Sequence, residues 1–148
     1  MQKLDNNNIW IDYAHTPDAL SNALQTLHLH YPESKLRVVF GCGGDRDKSK
    51  RQQMGKIASE LAHSIVLTND NPRNEQPEDI VKDILTGVKI ENNTQVILDR
   101  KTAINTAITT LNEDEVLLIA GKGHETTQII GSQVLPFSDI EIALDALI

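Results

Sequence analysis

The sequence predicts an open, mostly parallel α/β sheet of about six strands, with helices on both faces and an antiparallel hairpin at one edge. Three observations predict it. Short runs of mostly branched or aromatic side chains, at residues 9–12, 36–40, 64–68, 96–98 and 116–120, show little alternation of polar and apolar positions. That is the pattern of strands buried on both faces. Longer segments with helical spacing separate them, at residues 17–30, 47–62, 77–87 and 100–112. Finally, Gly131-Ser132 between residues 128–130 and 133–135 signals a hairpin with a two-residue turn. Such β-α alternation makes the expected sheet Rossmann-like.

Each element has its own local justification. Asn6-Asn7-Asn8 reads as a loose entry to the first strand. The first helix starts at Thr16-Pro17-Asp18, which combines a cap, a proline at the first helical position and an acid in the first turn. The second strand runs through a glycine-rich loop into the second helix. Gln76-Pro77-Glu78-Asp79 repeats the proline-plus-acid start, and Ile80, Val81, Ile84 and Leu85 then share one helical face. After the hairpin, Ser138-Asp139-Ile140-Glu141 is a capping box that opens a last helix through Leu147.

Composition narrows the function classes. A chain of 148 residues suits one compact domain with a proper core, so residues 1–148 are read as a single domain. The 14 Lys+Arg against 21 Asp+Glu give a formal charge of −7, which argues against a general nucleic-acid binder. Aromatic residues are only 3%, too few for a base-stacking platform. Cys42 is the single cysteine, so an internal disulfide framework and a cysteine-based zinc site are excluded. No apolar run approaches the roughly 20 residues of a membrane helix, and no signal-peptide pattern opens the chain. A monomer in the cytoplasm, with no nucleic-acid or membrane partner, is the expectation.

In sheets of this kind ligands gather at the carboxyl ends of the strands, so the chemistry is expected just after each strand. Gly41-Cys42-Gly43-Gly44-Asp45-Arg46-Asp47-Lys48 lets the backbone approach a ligand and leads into a helix start whose N–H groups favour anions. It matches neither G-x-G-x-x-G nor a Walker A sequence. Arg46 is its candidate clamp for a carboxylate or phosphate; a tight βα turn is the plainer reading. Cys42 reads either as a reactive thiol or as a small residue tolerated at a turn. Asp70-Asn71-Pro72-Arg73 combines an acceptor for an ammonium, an amide and a fork for a carboxylate, a set suited to a zwitterionic amino acid. A solvated turn is its alternative. In Gly121-Lys122-Gly123-His124-Glu125, Glu125 and a free loop carbonyl could accept an amino group. Asp12-Tyr13-Ala14-His15 offers an acid for a ribose hydroxyl and two flat rings for a base, or simply caps a helix. His28 and His30 fall on different helix faces, and no metal site is read from the sequence.

Taken in order, D-Y-A-H-T-P-D-A-L from Asp12, G-C-G-G-D-R-D from Gly41, D-N-P-R from Asp70 and G-K-G-H-E from Gly121 resemble the Mur ligases of peptidoglycan synthesis. The resemblance covers nearly the whole chain, but only the C-terminal, amino-acid-binding domain of that family. The family's central ATPase domain and N-terminal UDP-binding domain have no counterpart here. Within the family, D-N-P-R resembles the motif for meso-2,6-diaminopimelate. The resemblance implies that Asn71 and Arg73 hold the distal carboxylate end, with Asp70 and Pro72 in the same motif. It also implies that Arg46 binds a diaminopimelate carboxylate, and that the Gly121 carbonyl and Glu125 receive the distal ammonium. Asp12, Tyr13 and His15 match the stretch that meets the ATP ribose and adenine.

The implied activity is an ATP-dependent amide-forming ligation of diaminopimelate to UDP-N-acetylmuramoyl-L-alanyl-D-glutamate. ATP and Mg²⁺ are bound mainly by the central domain in that scheme. No residue of this chain need be a catalyst; it acts by positioning the amino acid and closing on ATP. The isolated domain is expected to be inactive. A ligase for another amino acid is disfavoured by Arg73, because lysine has no second carboxylate for a buried guanidinium to meet. A stand-alone Rossmann-like module that binds an anion or nucleotide without catalysis is the alternative of a different class.

Overall fold

The computed structural model describes residues 1–4 and 8–148. Asn6 and Asn7 of the expected loose entry lie outside the described residues. The elements are β1 (Gln2–Lys3), β2 (Ile9–Asp12), α1 (Pro17–His30), β3 (Lys35–Phe40), α2 (Ser49–Leu61), β4 (Ser64–Leu67) and α3 (Pro77–Leu85). They continue with β5 (Asn93–Val96), α4 (Arg100–Thr109), β6 (Glu115–Ala120), β7 (Thr127–Ile130), β8 (Gln133–Pro136) and α5 (Asp139–Ala146). Helix starts follow local chemistry. Thr16, Asp99 and Ser138 each accept a first-turn N–H, from Ala19, Thr102 and Glu141, at 3.0 to 3.2 Å.

Six strands form one sheet in the order β1-β2-β6-β3-β4-β5, parallel throughout except for β1. Successive residues of the central strands feed two different cores. Val38 and Phe40, Ile65 and Leu67, and Val116 and Leu118 pack under α1, α2 and α3. Val39, Val66, Leu117 and Ile119 pack under α4 and α5. Both faces therefore need apolar side chains, which is why these strands lack alternation. None of the described helices is long and apolar enough to cross a membrane.

The hairpin forms at Gly131-Ser132, but it does not extend the large sheet. β7 and β8 pair only with each other, and one bridge joins Ile130 to Arg73. The antiparallel edge is β1, two exposed polar residues with no apolar pattern. The hairpin is instead laid over the turn after β4. Arg73 N–H donates to the Ile129 carbonyl at 3.0 Å, and Gly131 N–H to the Arg73 carbonyl at 2.6 Å. β5 also differs from expectation, lying at Asn93–Val96 rather than residues 96–98. As an edge strand it is polar and mostly exposed; Ile97 and Leu98 of the apolar run follow it, still bonded to the end of β4 and the residues just after it through the Ile97 N–H and the Leu98 carbonyl, and pack against the two cores.

Candidate functional site

The chain leaves β3 toward β4 and β5, then returns to place β6 on the other side of β3. Loops after β3 and β6 therefore diverge and leave a crevice at the carboxyl ends, the topological switch point of the sheet. A cleft of about 360 Å³ fills this place. The turn after β2 contributes Tyr13, His15 and Thr16, and the loop after β3 contributes Gly43, Arg46 and, from α2, Lys50. Asp70, Asn71 and Arg73 enter after β4, and Gly121 and Glu125 after β6. Four sequence segments thus meet at one site. Of the residues expected from the resemblance to meet a ligand, Asp12 and Pro72 do not line it.

The cleft sorts its charges. A methyl group on Gly43 would stand 2.9 Å from the Arg73 guanidinium and 3.6 Å from Arg46 Cγ, so the two cations flank this glycine. A methyl group on Gly121, which has φ +115°, would stand 2.6 Å from Asp70 Oδ2, so that carboxylate abuts the other glycine turn. Glu125 lies on the same turn, its N–H donating to the Lys122 carbonyl at 2.9 Å. The Arg73 guanidinium and the Asp70 carboxylate thus stand at different glycine turns of the cleft, an arrangement that suits a ligand carrying both charges.

Backbone geometry aims these groups. Arg73 has φ +51°, a left-handed conformation rare for a bulky residue. Its NH1 donates to the Gly44 carbonyl at 3.0 Å, leaving the other guanidinium N–H groups for the cleft. Gly44 must be glycine, because a side chain there would overlap the Pro72 carbonyl. Pro72 is buried in that contact, below the cleft. The loop bearing Arg46 is pinned from behind: Asp45 N–H donates to Glu75 Oε2 at 2.6 Å, and buried Arg51 joins Glu75 to the Gly43 carbonyl. The Arg51 hydrogen bond holds the Glu75 carboxyl down at about 2.

Other expected features take different forms. The start of α2 does not present an open anion seat, since Asp47 already accepts the Ser49 N–H at 2.9 Å. Cys42 is buried against Met54, Sγ to Sδ 3.7 Å, and burial pushes its thiol up to about 12. It is a packing residue, not a reactive thiol. Tyr13 is half exposed, with its ring 4.5 Å from that of His15. Asp12 sits behind them, accepting the Ala14 N–H at 3.1 Å.

The sequence matches the model of the family described as "Mur ligase, glutamate ligase domain" over residues 1–123. The chain belongs to the Mur ligase family. It is 51% identical over 143 residues to a UDP-N-acetylmuramoyl-L-alanyl-D-glutamate–2,6-diaminopimelate ligase of Rickettsia montanensis, covering 96% of this chain and 30% of that protein. To the ligase of the same name from Coxiella burnetii it is 54% identical over 139 residues, 94% of this chain and 28% of that protein. A solved structure of a ligase with this name superposes with a TM-score of 0.93 at 39% identity, covering 99% of this chain and 31% of the other. The chain thus spans about 30% of the length of these Mur ligase relatives.

Two residues of this Mur ligase domain escaped the sequence reading. Lys50 lines the cleft and donates to the His15 carbonyl at 3.0 Å, tying α2 to the turn after β2. Its position in the first turn of a helix that follows a glycine loop was the available signal. Lys122 is fully buried beneath the cleft, where burial lowers its ammonium pKa against the opposing pull of Asp70. Nothing in its G-K-G context marks it as buried.

Proposed function

We propose that this domain seats meso-2,6-diaminopimelate for an ATP-dependent ligase that adds it to UDP-N-acetylmuramoyl-L-alanyl-D-glutamate. The charge-sorted cleft carries the reading. Arg46 and Arg73 take carboxylate groups, and the unbonded Arg73 N–H groups suit a bidentate grip on the distal one. Asn71 donates from its amide to the same end. Asp70, Glu125 and the Gly121 carbonyl take the distal ammonium. Pro72 serves by its rigid backbone, which forces Arg73 and Asn71 to point apart. The relatives' names support the amino acid, since each is named as a 2,6-diaminopimelate ligase.

In this reading the domain contributes position rather than a reacting group. ATP supplies the activation, converting the D-glutamate γ-carboxylate into an acyl phosphate whose phosphate is displaced by the incoming amine. The cleft holds the diaminopimelate by its far end and so leaves the other amine free to attack, which lowers the barrier by orientation. Tyr13 and His15 offer flat, exposed surfaces to the adenine on the rim nearest the β2 turn, while Asp12, behind them, serves by holding that turn through the Ala14 N–H rather than by meeting the ribose. Among the described residues no three His, Cys, Asp or Glu side chains group to hold a metal ion. Mg²⁺ is ordinarily held by one or two carboxylates together with substrate phosphates, and this domain's side chains are given no part in holding it.

Titration of the ¹⁵N-labelled chain with meso-diaminopimelate, L-lysine and ATP tests the proposal. Diaminopimelate is expected to shift the resonances of Gly43, Asn71, Arg73 and Glu125 at lower concentration than L-lysine. Equal responses to the two amino acids, or shifts away from this cleft, would overturn it.

A further inference from the structure

Lys122 has no part in the roles above, and being fully buried it touches no ligand. Its Nζ donates to Asn71 Oδ1 at 2.8 Å and to the Thr127 carbonyl at 3.0 Å, and lies 3.5 Å from Asp70 Oδ1. The backbone N–H of Ile129 donates to the same Asn71 oxygen at 2.9 Å. A primary amide has one acceptor oxygen and one donor nitrogen. Two donors converge on the oxygen, so the flipped amide would set its NH₂ against an ammonium and an N–H with no acceptor among them. That arrangement leaves buried donors unsatisfied and is excluded on energetic grounds. The nitrogen is thereby left to the cleft that Asn71 lines, without a partner among the described residues.

We infer that Lys122 is a positioning residue that locks the Asn71 amide with its NH₂ toward the cleft, so that this point accepts a carboxylate and rejects an ammonium. The inference rests on the diaminopimelate reading of the cleft. It deepens that reading, because selectivity over L-lysine then depends on a side chain that meets neither amino acid. The cross-link also spans two motifs: the G-K-G turn after β6 sets the rotamer of the residue after β4. Loss of the ammonium leaves the Ile129 N–H alone to hold the amide, and leaves Asp70 without its neutralising neighbour.

A through-hydrogen-bond scalar coupling from the Ile129 amide nitrogen, or from Lys122 Nζ, to Asn71 Cγ reports the amide orientation in the labelled wild-type chain. It needs neither a variant nor a ligand. Its presence is expected, and absence of both couplings overturns the lock. Selectivity is read by titrating meso-diaminopimelate and L-lysine into Lys122→Met. The preference for diaminopimelate should fall by about tenfold, the order for one hydrogen bond to a charged group. A folded Lys122→Met with undiminished preference overturns the proposal. Should that variant not fold, Asn71→Asp keeps the acceptor for Lys122 and Ile129 but replaces the NH₂ by oxygen. Preference must then fall at least as far, and an unchanged one overturns the proposal. A wild-type chain that does not prefer diaminopimelate overturns the cleft reading and the selectivity drawn from it, while the couplings decide the lock separately.

Discussion

Arg73 shows how a residue can be kept against its own backbone preference. At φ +51° a long side chain costs roughly 1–2 kcal/mol relative to a relaxed conformation. Glycine would sit there without that cost, at the expense of a floppier unfolded chain and of the hydrogen bond to the Gly44 carbonyl. These terms nearly cancel, so Arg73→Gly should change unfolding free energy by less than about 1 kcal/mol. The same substitution should abolish the response to diaminopimelate. Urea denaturation and ligand titration on one sample separate the two effects; a loss of several kcal/mol would mean that the arginine serves the fold. Cys42 makes the opposite case, a chemically capable group silenced by its surroundings. With the thiol at about 12 and no exposed sulfur, it should react with a disulfide reagent at neutral pH only as the chain unfolds. Rapid labelling of the native protein, followed by absorbance, would contradict this placement.

Between elements, ion pairs rather than apolar contacts set the loop that carries Arg46. Arg51 of α2 is 1% exposed and reaches Glu75 at 2.7 Å, Asp83 of α3 at 3.0 Å and the Gly43 carbonyl at 3.1 Å. Glu75 has its carboxyl at about 2, against an ordinary value of 4.5. A carboxyl depressed on folding stabilises above its unfolded value, and the contribution fades as pH falls from about 4.5 through about 2. Glu75→Gln should therefore cost about 1–3 kcal/mol at pH 7 and progressively less toward pH 2. Denaturant titrations of both proteins at several pH values give the difference; a gap independent of pH would show that the charge is not the cause. This network was not legible in the sequence, because Arg51 lies 24 and 32 residues from its two carboxylate partners and no local spacing relates them. The elements themselves were legible where both faces are buried: Ile9–Asp12 and Pro17–His30 fall where the apolar runs and the proline start put them. They were less legible at the edges, as β1 and β5 show, where a strand pairs on one side and its residues remain polar.

At the scale of the molecule, the site could be read from sequence because a parallel sheet delivers every strand's carboxyl end to one side. Arg46, Asp70, Asn71, Arg73, Gly121 and Glu125 meet for that reason, although they span about 80 positions of chain. Lys122 and Lys50 stayed hidden because their roles are fixed by contacts across that convergence, not along it. The surface carries a further consequence. A compact monomer of 16.4 kDa should expose roughly 7,500 Å², and this chain exposes 7586 Å². No excess surface marks a fold that needs another chain to complete its core, since the helices on both faces already close the two apolar layers. Activity is another matter. The sequence holds no G-x-x-x-x-G-K-[ST] loop to cradle ATP phosphates, and the role proposed for the cleft is to seat an amino acid. The isolated chain should therefore unfold in one cooperative thermal transition as a monomer, by calorimetry and sedimentation. Mixed with ATP, Mg²⁺, diaminopimelate and the UDP-linked dipeptide, it should form no ADP above the enzyme-free background. Cooperative folding without turnover is the expected pair of results, and measurable ADP release dependent on the dipeptide would place the phosphoryl chemistry inside these 148 residues after all.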